Sequence, residues 1–172
     1  MLTGVFSGGV FPKGRPPFRK IVCPVDFSDA SLAALRYALY LAEEADARLT
    51  ILHVLEWTPE QEPPQFVRFD IQQYRSYLED DARDKLRKAV PSSARDWCEI
   101  KEVVAAGKPY ERILAAAKGA DLVAMGVRGR GTLDLMLFGS TTNQVVRAAE
   151  CPVLVLPSPG PPAATRKPRA RR

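Results

Sequence analysis

The stretch GVRGRGTLDLMLFGSTT, residues Gly126 to Thr142, decides how this chain folds. Two glycines three apart, Gly126 and Gly129, are followed by nine residues, then Gly139 and three hydroxyl residues, Ser140, Thr141 and Thr142. The apolar run Leu122–Met125 ahead of it has the length of a buried parallel strand. Behind it NQVVRAAE carries Val145, Val146, Ala148 and Ala149 at spacings that suit a short helix. The stretch therefore predicts a glycine-bearing loop joining a strand to a helix. Glycine permits backbone conformations closed to other residues and lets a ligand come close. Ser140 to Thr142 fall where unpaired N–H groups gather at a helix start, a ready anion site, and Arg128 and Arg130 add positive charge beside it. The same residues also suit plain N-capping and turn chemistry. The rest of the chain tilts the balance towards a bound phosphate.

Upstream, Lys20–Val25 reads as a first strand with Asp26 at its carboxyl end and Ser28 as the N-cap of a helix. That helix places Leu32, Leu35, Ala38, Leu39 and Ala42 on one face. Arg48–Leu55 is a second, almost wholly apolar strand, so the unit implies a parallel sheet covered on both faces. Residues 56–68 contain three prolines and no period, and predict a loop. A helix over Ile71–Ala89, capped by Asp70, would bury Ile71, Tyr74, Leu78, Ala82, Leu86 and Ala89. Asp81–Lys85 and Asp84–Lys88 would support it at i,i+4. Cys98–Ala105 predicts the third strand, Tyr110–Lys118 a helix, Leu122–Met125 the fourth strand and Pro152–Leu156 the fifth. The expected fold is an open, doubly wound five-stranded parallel α/β sheet of order 3-2-1-4-5 with helices on both faces. Such sheets bind ligands beyond the carboxyl ends of the strands where the order reverses. That order sets Asp26 against the glycine loop.

The 172 residues suit one domain, here 20–157, between an irregular extension over 1–19 and a Pro/Arg-rich segment over 158–172 expected to be disordered. The net charge of +5 is a property of the flanks. Residues 1–20 and 157–172 hold nine of the 25 basic residues and no acid, leaving 16 bases against 20 acids, a body of about −4. This excludes a basic nucleic-acid-binding face on the body and leaves nucleic acid only to the tails. No apolar run reaches the ~20 residues of a bilayer span, so no membrane role is expected. Three dispersed cysteines, Cys23, Cys98 and Cys151, read as thiols in a reducing compartment, with cytoplasm the expected location. His53, in a buried strand, reads as a satisfied core histidine.

Over residues 20–156 the chain resembles the universal stress protein family, and its ATP-binding branch in particular. Gly126, Gly129, Gly139 and Ser140 match that branch's signature, Gly-x2-Gly-x9-Gly-Ser/Thr. VCPVDFSDAS (22–31), LHVLE (52–56) and CPVLVLP (151–157) also look like the family. The resemblance implies an adenine-nucleotide alpha-hydrolase-like fold that holds ATP, with Mg²⁺ or a similar ion on the phosphates. It implies contacts from Pro24, Val25 and Asp26 to the nucleoside, with Asp26 on the ribose, and from the Val54 backbone to adenine. Gly126, Gly129 and Gly139 would give close approach, with Ser140 and Thr141 on phosphate oxygens. Arg128 and Arg130 lie outside the signature, and a phosphate role for them is inferred from charge alone. The resemblance further implies a homodimer through the strand Val153–Leu156 and a nucleotide-dependent role in stress response. The alternative is a slow ATPase, or autophosphorylation on Ser140, Thr141 or Thr142. Efficient turnover is not expected. Gly9-x4-Gly14 is followed by Arg15-Pro16 and supplies no Walker lysine, and no base for water stands out.

Overall fold

The computed structural model describes residues 18–56, 71–127 and 139–157. Among these, β1 (Lys20–Pro24), α1 (Asp29–Ala45), β2 (Arg48–Leu55), α2 (Ile71–Ala89), α3 (Ala94–Trp97), β3 (Ile100–Ala106), α4 (Pro109–Ala117), β4 (Leu122–Val127), α5 (Ser140–Ala148) and β5 (Val153–Pro157) follow in chain order. The strands form one sheet of order β3-β2-β1-β4-β5, parallel throughout, as the sequence predicts. The order reverses between β1 and β4. That reversal leaves a crevice at the carboxyl ends of those two strands.

Alternating strand residues feed two cores. Ile21, Cys23, Leu49, Ile51, Leu122 and Ala124 pack with α1, α2 and α3. Val22, Leu52, Val123 and Met125 pack with α4 and α5 on the opposite face. Helix α1 lies close to the sheet because the ridge it presents is small: Ala30, Ala34, Ala38 and Ala42 recur every fourth residue and are all buried. It opens on Ser28, whose hydroxyl accepts from the Ser31 N–H, and closes on Asp46 in the left-handed conformation.

Three local expectations change. Strand β3 begins at Ile100, not Cys98, because the one-turn helix α3 intervenes. Its i,i+3 hydrogen bonds start from the Pro91 carbonyl, and the Cys98 thiol donates to the Ala47 carbonyl at 3.3 Å. Strand β4 runs on to Val127, so Gly126 is a ladder residue opposite Leu156 and does not open a loop. On α2 the described part of the expected stripe is buried at Ala82 and Leu86, half-buried at Leu78 and Ala89 and exposed at Tyr74, while the burial of Ile71 lies outside the description. Lys85 pairs with Asp81 at 2.6 Å as expected, while Asp84 pairs with Arg87 at i,i+3 and not with Lys88. The expected cap Asp70 lies outside the described residues.

At the opposite pole of the sheet, the Asp121 carboxylate accepts from the backbone N–H groups of Arg19 and Lys20 at 2.8 and 2.9 Å. This fastens the entry of β1 to the entry of β4.

Candidate functional site

Where β1 ends, the chain must turn sharply into α1, and the residues from Val25 to Ser31 lock that turn. The Val25 N–H extends the ladder by donating to the Leu52 carbonyl at 2.8 Å. Its own carbonyl accepts from His53 Nδ1 at 2.7 Å, which fixes the imidazole tautomer and accounts for the half-buried histidine. Phe27 takes φ of +61°, a conformation uncommon for a bulky residue, and its ring lies against His53 with centroids 4.6 Å apart. Asp26 Oδ1 accepts from the Ser28 N–H at 3.0 Å and from the Ser28 hydroxyl at 2.5 Å. Ser31, buried, donates its hydroxyl to the Ser28 carbonyl at 3.0 Å and accepts from the Asp26 N–H at 3.3 Å. Asp26 thus serves the helix cap as well as the rim. An Asp and a Ser two residues apart after a strand serve both purposes with one carboxylate.

A cleft of about 140 Å³ opens beside this turn, at the β1/β4 reversal. Its apolar side is built by Leu52 and Val54 on β2, Met125 on β4, and Pro109 with Ile113, one helical turn apart, on α4. Its polar side carries Asp26, Ser31, Glu56, Thr141 and Thr142. A planar, largely apolar ring suits the first side and a hydroxyl-rich or anionic group the second.

The backbone supplies further polarity. The Leu52 carbonyl serves Val25, just past the end of β1, whereas the Leu55 carbonyl accepts from the Gly107 N–H on the opposite side of β2. By strand alternation the main-chain groups of Val54 face the β1 side, beyond the point where β1 has turned away. They are placed to meet the edge of a ligand.

At the other end of the cleft, α5 begins at Ser140 with Gly139 as its N-cap residue, and no side chain among the described residues caps it. Its first hydrogen bond of the i,i+4 type runs from the Asn143 N–H to the Gly139 carbonyl. The amides of Ser140, Thr141 and Thr142 therefore point out of the helix start. Thr142 is only 4% exposed and lines the cleft.

The two described glycines of the motif have different physical roles. A Cβ on Gly126 would fall 2.3 Å from the Ala30 carbonyl oxygen and 2.6 Å from the Ser31 nitrogen, so this glycine makes room for α1. The same glycine also lines the cleft. Gly139 has an ordinary φ of −58°, and a Cβ there would meet nothing within 4 Å among the described residues. Its bareness leaves the helix start open.

Of the residues singled out from sequence, the fold brings Pro24, Val25, Asp26, Val54, Gly126 and Thr141 together on the cleft. Gly139 and Ser140 stand exposed at the first turn of α5, outside the lining. Arg128, Gly129 and Arg130 lie outside the described residues. Thr142, placed by the sequence at the helix start, joins the cleft lining, whereas sequence reasoning missed Ser31, Leu52, Glu56, Pro109, Ile113 and Met125. The i,i+4 pair Pro109–Ile113 just after a strand was the available signal for the α4 wall. Behind the cleft, burial pushes the Cys23 thiol up to about 12, which keeps it protonated and inert.

Comparison with known proteins agrees with this fold. The family model of the Universal stress protein family matches residues 17–157. Universal stress protein MJ0531 of Methanocaldococcus jannaschii is 32% identical over 153 residues, which cover 87% of this chain and 88% of that protein. The solved structure of universal stress protein UspA from Lactobacillus plantarum superposes with a TM-score of 0.65 at 28% identity, over 81% of this chain and 97% of the other. A family protein from Arabidopsis thaliana, solved with AMP bound, shares the fold with a TM-score of 0.59 at 18% identity, over 83% and 93% of the two chains. With the family model spanning the whole sheet and relatives of this identity, the chain belongs to the universal stress protein family.

Proposed function

We propose that the protein binds an adenine nucleotide, ATP foremost, in the cleft at the β1/β4 reversal, as a nucleotide-dependent module of stress response. The observation that carries this reading is the start of α5, which no described side chain caps, with three outward amides and the buried Thr142, at one end of a cleft that also has an apolar wall. Adenine would lie between Val54 and the Pro109–Ile113 face, with the Val54 main chain on its edge. Asp26 would accept from the ribose hydroxyls, beside Pro24 and Val25. Ser140 and Thr141 would donate to phosphate oxygens, joined by Arg128, Gly129 and Arg130. A divalent ion such as Mg²⁺ would ride on the phosphates. AMP in the Arabidopsis relative is in keeping with such a ligand on this fold.

The module would act as a homodimer through β5, an edge strand whose residues Val153 to Leu156 are only half-buried within one chain. A cytoplasmic setting accords with three unpaired cysteines. Isothermal titration with ATP tests the site. Wild type is expected to bind, and Gly139→Trp, which projects an indole from the open helix start, to lose binding while staying folded. Absence of binding to the wild type, or full binding by the variant, would end the proposal.

A further inference from the structure

Strand β2 lends the cleft a row of three residues of one parity, Leu52, Val54 and Glu56, the last just past its end at Leu55. Leu52 and Val54 pack into the core on the α4 side. Side chains two apart on a strand share a face, so Glu56 follows them onto the cleft wall. The backbone is still held there, because the Leu55 carbonyl accepts from the Gly107 N–H at 3.0 Å. At about 3.3 Å per residue, the Glu56 Cα stands roughly 6.6 Å beyond that of Val54. A base lying over Val54 thus has a carboxylate at its outer edge.

The two acids of the lining differ. Asp26 Oδ1 is occupied by the Ser28 N–H and hydroxyl, whereas Glu56 is exposed and has no hydrogen bond or ion pair to another described residue. Donors are scarce on the same wall: no Lys, Arg, His, Asn or Gln is among the described lining residues. The Ser31 hydroxyl donates to the Ser28 carbonyl, and Thr141 and Thr142 stand at the α5 end. An exocyclic amino group at position 6 of a purine is a donor with two hydrogens, and a carboxylate accepts them. A 6-oxo group is an acceptor. Facing Glu56, it would meet a second acceptor and gain no partner.

We propose that Glu56 reads position 6 of the bound purine, its carboxylate accepting from the exocyclic amino group, so that the cleft favours 6-amino over 6-oxo purine nucleotides. The inference rests on the nucleotide reading above and goes beyond it by assigning base selection to one side chain. The Val54 main chain meets one amino hydrogen and Glu56 the other. Glu56 also borders a second hollow of about 220 Å³, with Arg75 and Glu79 in its lining. A carboxylate turned towards Arg75 would leave the base unread, which gives the test its opposite outcome.

The test titrates the full chain and its Glu56→Gln variant with ATP, ITP and GTP by calorimetry, with circular dichroism as the fold control. Wild type is expected to bind ATP about tenfold or more tighter than ITP, the worth of one hydrogen bond to a charged group. Glutamine donates to a 6-oxo group as readily as it accepts from an amino group, so the variant should narrow that preference by about fivefold or more. A loss of general fit would weaken all three nucleotides alike and leave the ratio where it was. An ATP-to-ITP ratio near one in the wild type, or unchanged in the variant, overturns the inference and leaves the nucleotide site standing. Tighter binding of GTP than of ATP by the wild type also overturns it, since the carboxylate would then be accepting from N1–H and the 2-amino group. Failure of the wild type to bind any of the three brings down the nucleotide reading and this inference together.

Discussion

Gly126 and Ala30 meet across the packing of β4 against α1, where a single methyl group on the glycine would stand 2.3 Å from the alanine carbonyl oxygen. The obstacle is backbone at the first turn of a helix, which cannot rotate aside as a side chain would. Gly126→Ala should therefore shift α1 and cost about 2 kcal/mol or more in denaturant unfolding. Gly139→Ser, which puts a preferred N-cap residue on an open site, should leave stability within about 0.5 kcal/mol of wild type. Similar stabilities for the two variants would mean that the close approach of helix and strand is not what Gly126 provides.

The cap of α1 and the rim of the cleft share Asp26. Ser28→Ala removes both the cap of the Ser31 N–H and the hydroxyl that Asp26 holds, with an expected loss of about 1 kcal/mol. In a double-mutant cycle with Asp26→Ala, a coupling of about 0.5 kcal/mol or more is expected. Strict additivity would show that the two side chains act separately.

Helix α2 is anchored by its second half. Leu86, fully buried, should cost about 2–5 kcal/mol on truncation to alanine. Tyr77, 66% exposed, should cost no more than about 0.5 kcal/mol. Hydrogen exchange should follow the same division, with amides around Leu86 better protected than those around Tyr77.

Cys23 gives the fold an alkaline limit. Burial raises its thiol from 9.0 to about 12, so the folded chain retains a proton that the unfolded chain releases. The stability that this contributes is fully present below about pH 9 and is lost as pH rises towards 12, by up to about 1.4 kcal/mol per pH unit. Cys23→Ala should flatten that part of the stability–pH curve. At pH 8 a thiol reagent should modify half-buried Cys151 before Cys23; the reverse order would contradict the burial.

The strand order was legible because four apolar strands alternate with helical patterns, and parallel sheets covered on both faces write themselves as continuous apolar runs. Asp26 and Gly126 were legible on the rim because strand ends carry the site in such sheets, while Val54 came from the resemblance. Pro109, Ile113 and Met125 were not, since their part in the cleft comes from packing between elements distant in sequence. Gly126 shows why a matched motif does not give its own reason. The same residue type can serve a ligand or a neighbouring helix, and the position of Ala30 reveals the second use, which the motif alone does not. Tyr74 was misplaced because periodicity reports which residues share a face, whereas how far that face is covered depends on where the sheet stops.

The Asp121 clamp on Arg19 and Lys20 and the exit of β5 at Pro157 put the two attachment points of the domain at opposite poles. A pull between residues 18 and 157 would load the β1–β4 and β4–β5 ladders lengthwise, so that their bonds would have to break together and not in succession. Single-molecule stretching from those two points should accordingly require a higher rupture force than stretching across the sheet from β3 to β5.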